Sequence, residues 1–346
     1  MRPGPAPADD QDATTALADT DGVFPEGFYA TTNFATDVRI AGAWLRVADI
    51  EMDVGIRIEH PAGAATATAH ACPMHRVRAG DRLVVGAAGI KVDLPLRVAP
   101  DGGTAPFRFM GSGVSGERPK ARIIADCALA MRAARQKGGR ILFVGGPAIV
   151  HGGSGPLLER LIRDGWVDVL FAGNALAAHD IEASLYGTSL GIDLDSGAGL
   201  PHGHQHHLRA INRVRRAGSI GAAVAQGLVT RGIMHACITR PIPFVLAGSI
   251  RDDGPLPDVI TNVVAAADAM RAQTRDVSVA ILVATTLHGI ATGNLLRADV
   301  ATFCVDASAE TVIKLVDRGT HQAQGIVTDC AHFLSELARA LASPGP

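Results

Sequence analysis

The chain has 346 residues, of which 47% are hydrophobic and 19% charged, enough for a large core in two domains or in one α/β domain with an added module. A formal net charge of −2 and an aromatic content of 4% argue against a broad basic surface for nucleic acid or anionic membrane, and against a stacking surface for single strands. No apolar stretch is long and uninterrupted enough to predict a membrane span.

The first 21 residues are acidic and rich in proline and alanine, and they lack the basic and apolar regions of a secretion signal. We therefore expect a disordered tail over residues 1–21. The five cysteines are odd in number and form no C-x-x-C pair, which favours reduced thiols over a disulfide framework. Together these features predict a cytoplasmic protein.

Short apolar runs separated by turn residues predict a small β-rich domain over residues 22–106. The runs span 28–32, 44–47, 54–58 and 82–85. A stretch rich in proline and glycine at 95–106 is the predicted boundary of this domain.

Residues 107–346 have the pattern of an α/β domain. A helix is predicted over 117–137, where apolar residues recur with helical spacing. Strands are predicted at 141–144, 166–172, 243–247, 277–284 and 300–305, and further helices at 175–186, 208–216, 258–273, 309–318 and 332–342. This alternation indicates right-handed crossovers and a parallel, Rossmann-like sheet.

The first of these strands ends in a glycine-rich loop. Gly145, Gly146 and Pro147 follow the apolar run directly. Glycine lets backbone N–H groups approach a phosphate closely, and a following helix adds positive partial charge. The spacing is not that of the G-x-G-x-x-G fingerprint, so a plain strand-to-helix turn is the alternative. A ligand site is favoured because small or polar residues follow successive strands, as at Gly146, Asn174, Ser249, Asp253, His288 and Asp306.

Acidic residues at these strand ends are candidates for chemistry. Asp252 and Asp253 stand in a stiff turn with glycine and proline, where a carboxylate can move a proton or hold an ammonium group. Asp258 is predicted to cap the next helix instead. Asp306 has two open interpretations, a contact with an adenosine ribose or a helix cap. Glu117 begins a predicted helix beside the same cleft.

Histidines are grouped in two places. His202, His204, His206 and His207 suggest a metal cluster, but their spacing fits no zinc pattern and we predict no metal site there. A contact of this segment with a phosphate or carboxylate is the alternative. His151 and His179 lie just after strand ends, and His179, near Asp180 and Glu182, is interpreted as a structural histidine.

Several longer blocks resemble a known family. They are GFYATTN at 27–33, GERPK at 116–120, GGPAIVHGG at 145–153, LFAGNALAAHDIEASLYGTSLG at 170–191 and PFVLAGSIRDDGPLPDVIT at 243–261. These blocks resemble the archaeal-type, NAD-dependent ornithine cyclodeaminases with the LOR/SDH conserved region, and the C-terminal part of fused arginine dihydrolase/ornithine cyclodeaminases. The resemblance extends from about residue 22 to residue 341. It implies a small N-terminal β domain followed by an NAD-binding domain similar to deoxyhypusine synthase.

The resemblance implies a reaction and a set of site residues. NAD⁺ takes a hydride from the α-carbon of L-ornithine, the δ-amine attacks the resulting imine, ammonia leaves, and the returned hydride gives L-proline. Asp252 or Asp253 would be the acid–base group, Glu117 an amine anchor and Arg251 a clamp for the carboxylate. The residues expected to hold NAD are Gly145, Gly146, Pro147, Ala148, Asn174, Ala175, Ser249, His288 and Asp306.

Two alternatives stay open. One is an NAD-dependent cyclodeaminase or dehydrogenase for another basic or diamino acid, because Gly116 and Val54 stand where the family usually has serine and cysteine. The other is an NAD-binding protein without catalysis. In each case we expect a homo-oligomer with a small-molecule ligand, and no nucleic-acid or membrane partner.

Overall fold

The computed structural model describes residues 11–61, 66–93, 120–252, 254–317 and 322–343. The chain divides into an N-terminal unit, Met1–Phe109 with Asn294–Asp299, and a C-terminal unit, Met110–Gly293 with Val300–Pro346. The predicted boundary at 95–106 lies outside the described residues. The return of Asn294–Asp299 to the N-terminal unit was not predicted. There the Met52 N–H donates to the Asn294 carbonyl at 3.0 Å, and the Ala298 N–H donates to the Asn33 carbonyl at 2.9 Å.

The N-terminal unit is built on a mixed β-sheet. Its described strands are β1 (Thr14–Leu17), β2 (Thr36–Ile40), β3 (Ala43–Ala48), β4 (Gly55–Glu59), β5 (Thr68–Cys72), β6 (Arg82–Val85) and β7 (Ile90–Val92), with a short 3₁₀ turn at Met74–Arg76. They form one sheet in the order β1-β6-β4-β5-β3-β2-β7, antiparallel except between β3 and β5. Alternating side chains such as Val38, Val47, Ile56 and Ile58 point inward and form its core.

Two predictions for this unit were wrong. Residues 1–21 were expected to be disordered, yet β1 lies within them and pairs with β6, Thr14 opposite Val85. Its partner, β6, is distant in sequence, so no local sequence pattern indicates that the two strands pair. Residues 28–32 were expected to form a strand, but they contribute a single bridge from Phe28 to Val85. The Thr31 hydroxyl is engaged instead with the carbonyl of Glu51 at 2.7 Å.

The C-terminal unit contains a parallel sheet. Its described strands are β8 (Arg140–Gly145), β9 (Val169–Gly173), β10 (Thr188–Ser189), β11 (Ile192–Asp193), β12 (Phe244–Ala247), β13 (Val259–Ile260), β14 (Val277–Val283), β15 (Ala301–Asp306) and β16 (Ala323–Val327). The main sheet has the order β13-β12-β9-β8-β14-β15-β16, and every neighbouring pair is parallel. Strands β10 and β11 form a separate antiparallel ribbon.

Helices connect these strands. The described helices are α1 (Lys120–Gln136), α2 (Ala148–His151), α3 (Gly155–Arg163), α4 (Asn174–Tyr186), α5 (His206–Ala217), α6 (Ile220–Ala225), α7 (Ile233–Thr239), α8 (Val263–Thr274), α9 (Leu287–Leu295), α10 (Ala309–Asp317) and α11 (Cys330–Ala342), with a 3₁₀ turn at Gly203–Gln205. The central strands are apolar throughout because the sheet is covered on both faces, and Phe143, Phe171 and Phe303 are almost fully buried between the layers. The predicted fold class, a Rossmann-like α/β domain preceded by a β-rich one, is confirmed.

The predicted role of Asp258 as a cap of the following helix was wrong. Strand β13 intervenes, and α8 begins only at Val263, where the Asn262 side chain accepts the N–H groups of Val264 and Ala265. The Asp258 carboxylate instead accepts the N–H of Ile220 at 2.8 Å and fastens the start of α6.

All five cysteines have free thiols and are buried. In the described part of the chain, no helix combines the length and apolar character needed to cross a membrane.

Candidate functional site

The sheet changes its direction of winding between β8 and β14. From β8 the chain proceeds to β9 and β12 on one side, whereas β14, β15 and β16 lie on the other. Ligands of such sheets bind in the crevice at the carboxyl ends of the strands, at this point of reversal. A cavity of about 610 Å³ lies there, lined by residues that follow four adjacent strands, β12, β9, β8 and β14.

Most of the predicted site residues meet in this cavity. They are Gly145, Gly146, Pro147, Asn174, Ala175, Ser249, Arg251, Asp252 and His288. Ala148 and Asp306 are not among the described residues that line it. The Asp306 carboxylate accepts the Ser308 N–H at 2.8 Å in the turn before α10, and the Ser308 hydroxyl accepts the Thr311 N–H at 3.3 Å, so Ser308 rather than Asp306 caps the helix. Asp253 and Glu117 lie outside the described residues, so their roles stay predictions.

Gly146 allows the backbones of β8 and β14 to meet at the floor of the cavity. Its N–H donates to the Val283 carbonyl at 2.9 Å. A Cβ atom at Gly146 would overlap the carbonyl oxygen of Ala284, and one at Gly145 would approach the Leu176 side chain to 2.8 Å. Ala284 itself has a φ of +53°, a left-handed conformation that is uncommon for alanine. Both glycines are buried, so it is close packing at the floor that requires glycine at these two positions.

Helix α4 begins directly at the end of β9 and faces the same cavity. No side chain caps its first turn at Gly173, so its N–H groups are available to an anion. The buried Asn174 side chain accepts the Leu256 N–H at 3.0 Å and so fixes the loop that follows β12. Asn174 thus lines the cavity and also holds in place the loop after β12, which forms another part of the cavity wall.

The loop after β12 presents a cation and an anion side by side. The Ser249 N–H donates to the Asp252 carboxylate at 2.8 Å, and the Arg251 N–H donates to the Ser249 hydroxyl at 3.2 Å. These bonds define a tight turn, in which the Arg251 side chain is exposed and Asp252 is half-buried. The turn places both charges where an amino acid could meet them.

His288 closes the cavity from the β14 side. Its Nε2 lies 3.3 Å from the Ala247 carbonyl, and a Cβ at Gly173 would lie 2.9 Å from its Cε1 atom, so a larger residue at Gly173 would displace the ring. Burial lowers the pKa of His288, against the opposing effects of the Ala247 hydrogen bond and the Asp252 charge. The ring is therefore neutral at neutral pH, with Nε2–H donating to Ala247.

A wall of histidines lines the cavity, and the sequence interpretation did not predict that they would come together there. His151, His179 and His207 all face the cavity. His179 Nδ1 lies 2.8 Å from the Glu182 carboxylate, one helical turn later on α4. The interpretation of His179 as purely structural is therefore incomplete. The i, i+3 spacing of a histidine and a glutamate just after a strand end was the available signal.

Glu182 is fully buried and held from several directions. It accepts the Thr188 hydroxyl at 2.8 Å and the Gly191 N–H at 3.0 Å, besides His179. Burial alone would raise its pKa, but the hydrogen bonds from His179, Gly191 and Thr188 together outweigh burial and lower the pKa. Glu182 is therefore an ionised carboxylate behind the histidine wall.

His151 differs from its neighbour. Its Nδ1 lies 2.7 Å from the Ser189 hydroxyl, and its ring centroid is 4.6 Å from that of His179. Burial and the proximity of His179 lower its pKa to about 4, while Glu182 acts in the opposite direction. His151 is therefore neutral at neutral pH.

The histidines at 202–207 do not act as one cluster. His207 lines the cavity, while His206 Nδ1 lies 2.9 Å from the Thr188 hydroxyl and its ring stacks on Tyr186. Within the part of the chain that the structure describes, which includes this segment, no group of three or more potential ligands could hold a metal ion.

Asp180, on another face of α4, gives the stability of the C-terminal unit a defined pH dependence. It is buried and accepts the N–H groups of Ile233 and Met234, both at 2.8 Å, at the start of α7. Burial raises its pKa to about 7, although the two backbone bonds lower it. The folded state thus keeps a proton that the unfolded chain releases. Its contribution to stability is full at about pH 4 and is lost as the pH rises to about 7, by at most about 1.4 kcal/mol per pH unit.

We expect this slope to disappear in Asp180→Asn, because asparagine does not titrate. Urea unfolding at a series of pH values should show the free energy of unfolding falling more steeply with pH in the wild type than in the variant. Parallel curves for the two proteins would show that Asp180 is not the titrating group.

Comparisons with known proteins agree with this geometry. The chain matches the family described as "Arginine dihydrolase ArgZ-like, C-terminal, Rossmann fold" over residues 125–337, and the "first region" of the same C-terminal part over residues 35–124. It is 50% identical to an ornithine cyclodeaminase of Methanothermobacter thermautotrophicus, over 96% of this chain and 80% of that protein.

Two solved structures extend the comparison. A LOR/SDH protein from Methanococcus maripaludis S2 has a TM-score of 0.88 at 44% identity and covers 96% of this chain and 98% of its own. AgrE, whose structure is a ternary complex with ornithine and NAD⁺, has a TM-score of 0.63 at 37% identity, over 96% of this chain and 46% of AgrE. The chain therefore belongs to the ArgZ-like C-terminal family.

Proposed function

We propose that this protein is an NAD-dependent ornithine cyclodeaminase, which converts L-ornithine to L-proline and ammonia. The observation that carries the proposal is the cavity at the reversal point of the sheet, in a chain 50% identical to an ornithine cyclodeaminase over 96% of its length. The ternary complex of the relative AgrE with ornithine and NAD⁺ supports both ligands.

The residues present fit a dinucleotide. The backbone floor at Gly145 and Gly146 admits no Cβ, and the uncapped first turn of α4 suits a pyrophosphate. We propose that NAD is held by Gly145, Gly146, Pro147, Asn174, Ala175, Ser249 and His288. When bound, NAD⁺ would accept a hydride from the α-carbon of ornithine and return it to the cyclised product in the same turnover.

The charged loop fits the substrate. Arg251 offers a planar guanidinium for the substrate carboxylate, and Asp252 offers a carboxylate for one of its ammonium groups. The predicted roles of Asp252 or Asp253 as the acid–base group and of Glu117 as an amine anchor stay predictions. Apolar side chains of the cavity, among them Leu176 and Leu190, would limit the access of water to a reactive imine.

A product assay tests the function. Purified protein with L-ornithine and a small amount of NAD⁺ should yield proline and ammonia in equal amounts without accumulating NADH. Ornithine left intact at saturating NAD⁺ would refute the substrate assignment. Net NADH formation with another basic amino acid would favour a dehydrogenase, and NAD binding without turnover of any basic amino acid would favour a protein without catalysis.

The setting of the activity is also a proposal. We propose proline formation in the cytoplasm by a homo-oligomer. Five buried free thiols support a reducing compartment, and the fully exposed Ile250, with Val263 at 72% exposure, supports an interface between copies. Light scattering should give a mass that is a multiple of 35.8 kDa.

A further inference from the structure

We propose that His179, oriented by Glu182, is the base that removes the proton from the α-ammonium group of the substrate. The inference rests on the proposed function and adds a residue to it. None of the roles derived from the sequence included this pair.

The first support is the orientation of the ring. Glu182 holds Nδ1 of His179 at 2.8 Å, so Nε2 is the ring nitrogen left for the cavity that His179 lines. Glu182 cannot turn away, because Thr188 and the backbone of Gly191 bind its other oxygen at 2.8 and 3.0 Å. A fixed ring with a defined tautomer is what a general base requires.

The second support is charge. An ionised Glu182 places the proton on Nδ1 and leaves the lone pair on Nε2, and it stabilises the imidazolium that forms when Nε2 is protonated. The titratable groups that face His179 are Glu182 on α4, His151 on α2 and His207 on α5. His151 stays neutral, so it does not repel that imidazolium.

The third support is the contrast with Asp252. That carboxylate is engaged with the N–H of Ser249 in its own turn and is half-buried beside Arg251. This setting suits the binding of an ammonium group. Proton removal and ammonium binding are thus separated between two walls of the cavity.

The proton balance closes over one turnover. An N–H bond of the α-ammonium breaks, its electron pair stays on nitrogen, and the proton moves to Nε2 of His179. The neutral α-amine can then release the hydride from its carbon. The nitrogen of the δ-ammonium group loses two protons to solvent as it attacks the imine and enters the ring. His179 returns its proton to the α-nitrogen, which leaves as ammonia. The released ammonia and the secondary amine of proline each take up one proton from solvent, so the enzyme ends in its starting state.

His179→Gln tests the role directly, with His204→Gln as a control at an exposed histidine outside the cavity. We expect kcat for ornithine to fall about 10²- to 10⁴-fold in His179→Gln and to stay unchanged in the control. NAD affinity, measured by fluorescence titration, and the melting temperature should stay close to those of the wild type. The deficit should shrink as the pH approaches the pKa of the α-ammonium group, because the substrate then loses its proton unaided.

Glu182→Gln tests the positioning role. The amide keeps the shape of the carboxylate but removes its charge, so His179 becomes a weaker base. We expect the acidic limb of the kcat/KM profile to shift to lower pH, with a smaller loss of rate than in His179→Gln. A glutamate that only supports the fold would change stability and leave this limb in place. If His179→Gln does not fold, His179→Asn offers Glu182 a donor near the position of Nδ1.

The outcomes separate the inference from the function on which it rests. Wild-type protein that forms proline, with His179→Gln retaining a rate close to that of the control at neutral pH, would overturn the inference and leave the function intact. Wild-type protein that turns over no amino acid would overturn both.

Discussion

Replacing Gly146 with alanine is expected to weaken NAD binding and to lower the stability of the protein. The new Cβ would overlap the carbonyl oxygen of Ala284, which is backbone and cannot rotate away. Strands β8 and β14 would have to separate at the floor of the cavity, where the Gly146 N–H meets Val283. Overpacking of this kind costs about 1–3 kcal/mol or more, so we expect both a lower melting temperature and at least about a tenfold weaker affinity for NAD.

Gly221→Ala is the matched control. Gly221 lies within α6, and a Cβ there would meet its nearest neighbour, Ile238, at an ordinary distance of 3.7 Å. Alanine inside a helix is favoured over glycine by about 1 kcal/mol, so this variant should be as stable as the wild type or more so, and should bind NAD normally. Equal NAD affinities for Gly146→Ala and Gly221→Ala would refute a role for the glycine floor.

Arg251→Gln is expected to weaken ornithine use far more than NAD binding. The guanidinium is proposed to hold the substrate carboxylate, and a charged hydrogen bond of this type contributes about 1.5–3 kcal/mol. Its loss should raise KM for ornithine about 10- to 100-fold. Because the Arg251 backbone, not its side chain, maintains the turn with Ser249, the loop itself should persist.

The comparison protein is Arg216→Gln, which removes the same charge from an exposed position on α5. Steady-state kinetics of the two variants at equal ionic strength separate a local contact from a change in net charge. An equal KM for both would show that Arg251 makes no contact with the substrate. Arg251→Lys should recover only part of the loss, because an ammonium group cannot bind a carboxylate with two parallel bonds.

The sequence predicted best where local pattern and burial coincide. Five strands were predicted correctly because each is a short apolar run that ends in small or polar residues: β8, β9, β12, β14 and β15. Residues that follow the carboxyl ends of four of them line most of the cavity. β16 was missed because Gln324 and Gly325 interrupt its apolar run. β1 was missed because its hydrogen-bonding partner, β6, is distant in the chain.

Only part of the candidate site was predicted from the sequence, namely the glycine floor and the charged loop after β12. Glycines and acids at strand ends have recognisable positions, so the floor and the charged loop could be identified. The histidine wall depends on Glu182 being fully buried, and a glutamate on a helix ordinarily suggests a solvated surface. Asp306 shows the reverse case, because this strand-end acid accepts the Ser308 N–H in the turn before α10 and does not line the cavity. Only tertiary contacts distinguish these cases.

The return of Asn294–Asp299 to the N-terminal unit has a consequence for biosynthesis. The acceptor for the Met52 N–H and the donor for the Asn33 carbonyl both belong to this late segment. A ribosome makes most of the C-terminal unit before it reaches them, so the first unit emerges with two backbone groups still unmatched. Chains of several domains usually fold one domain at a time during synthesis. The N-terminal unit of this chain cannot finish folding in that way until translation has passed residue 298.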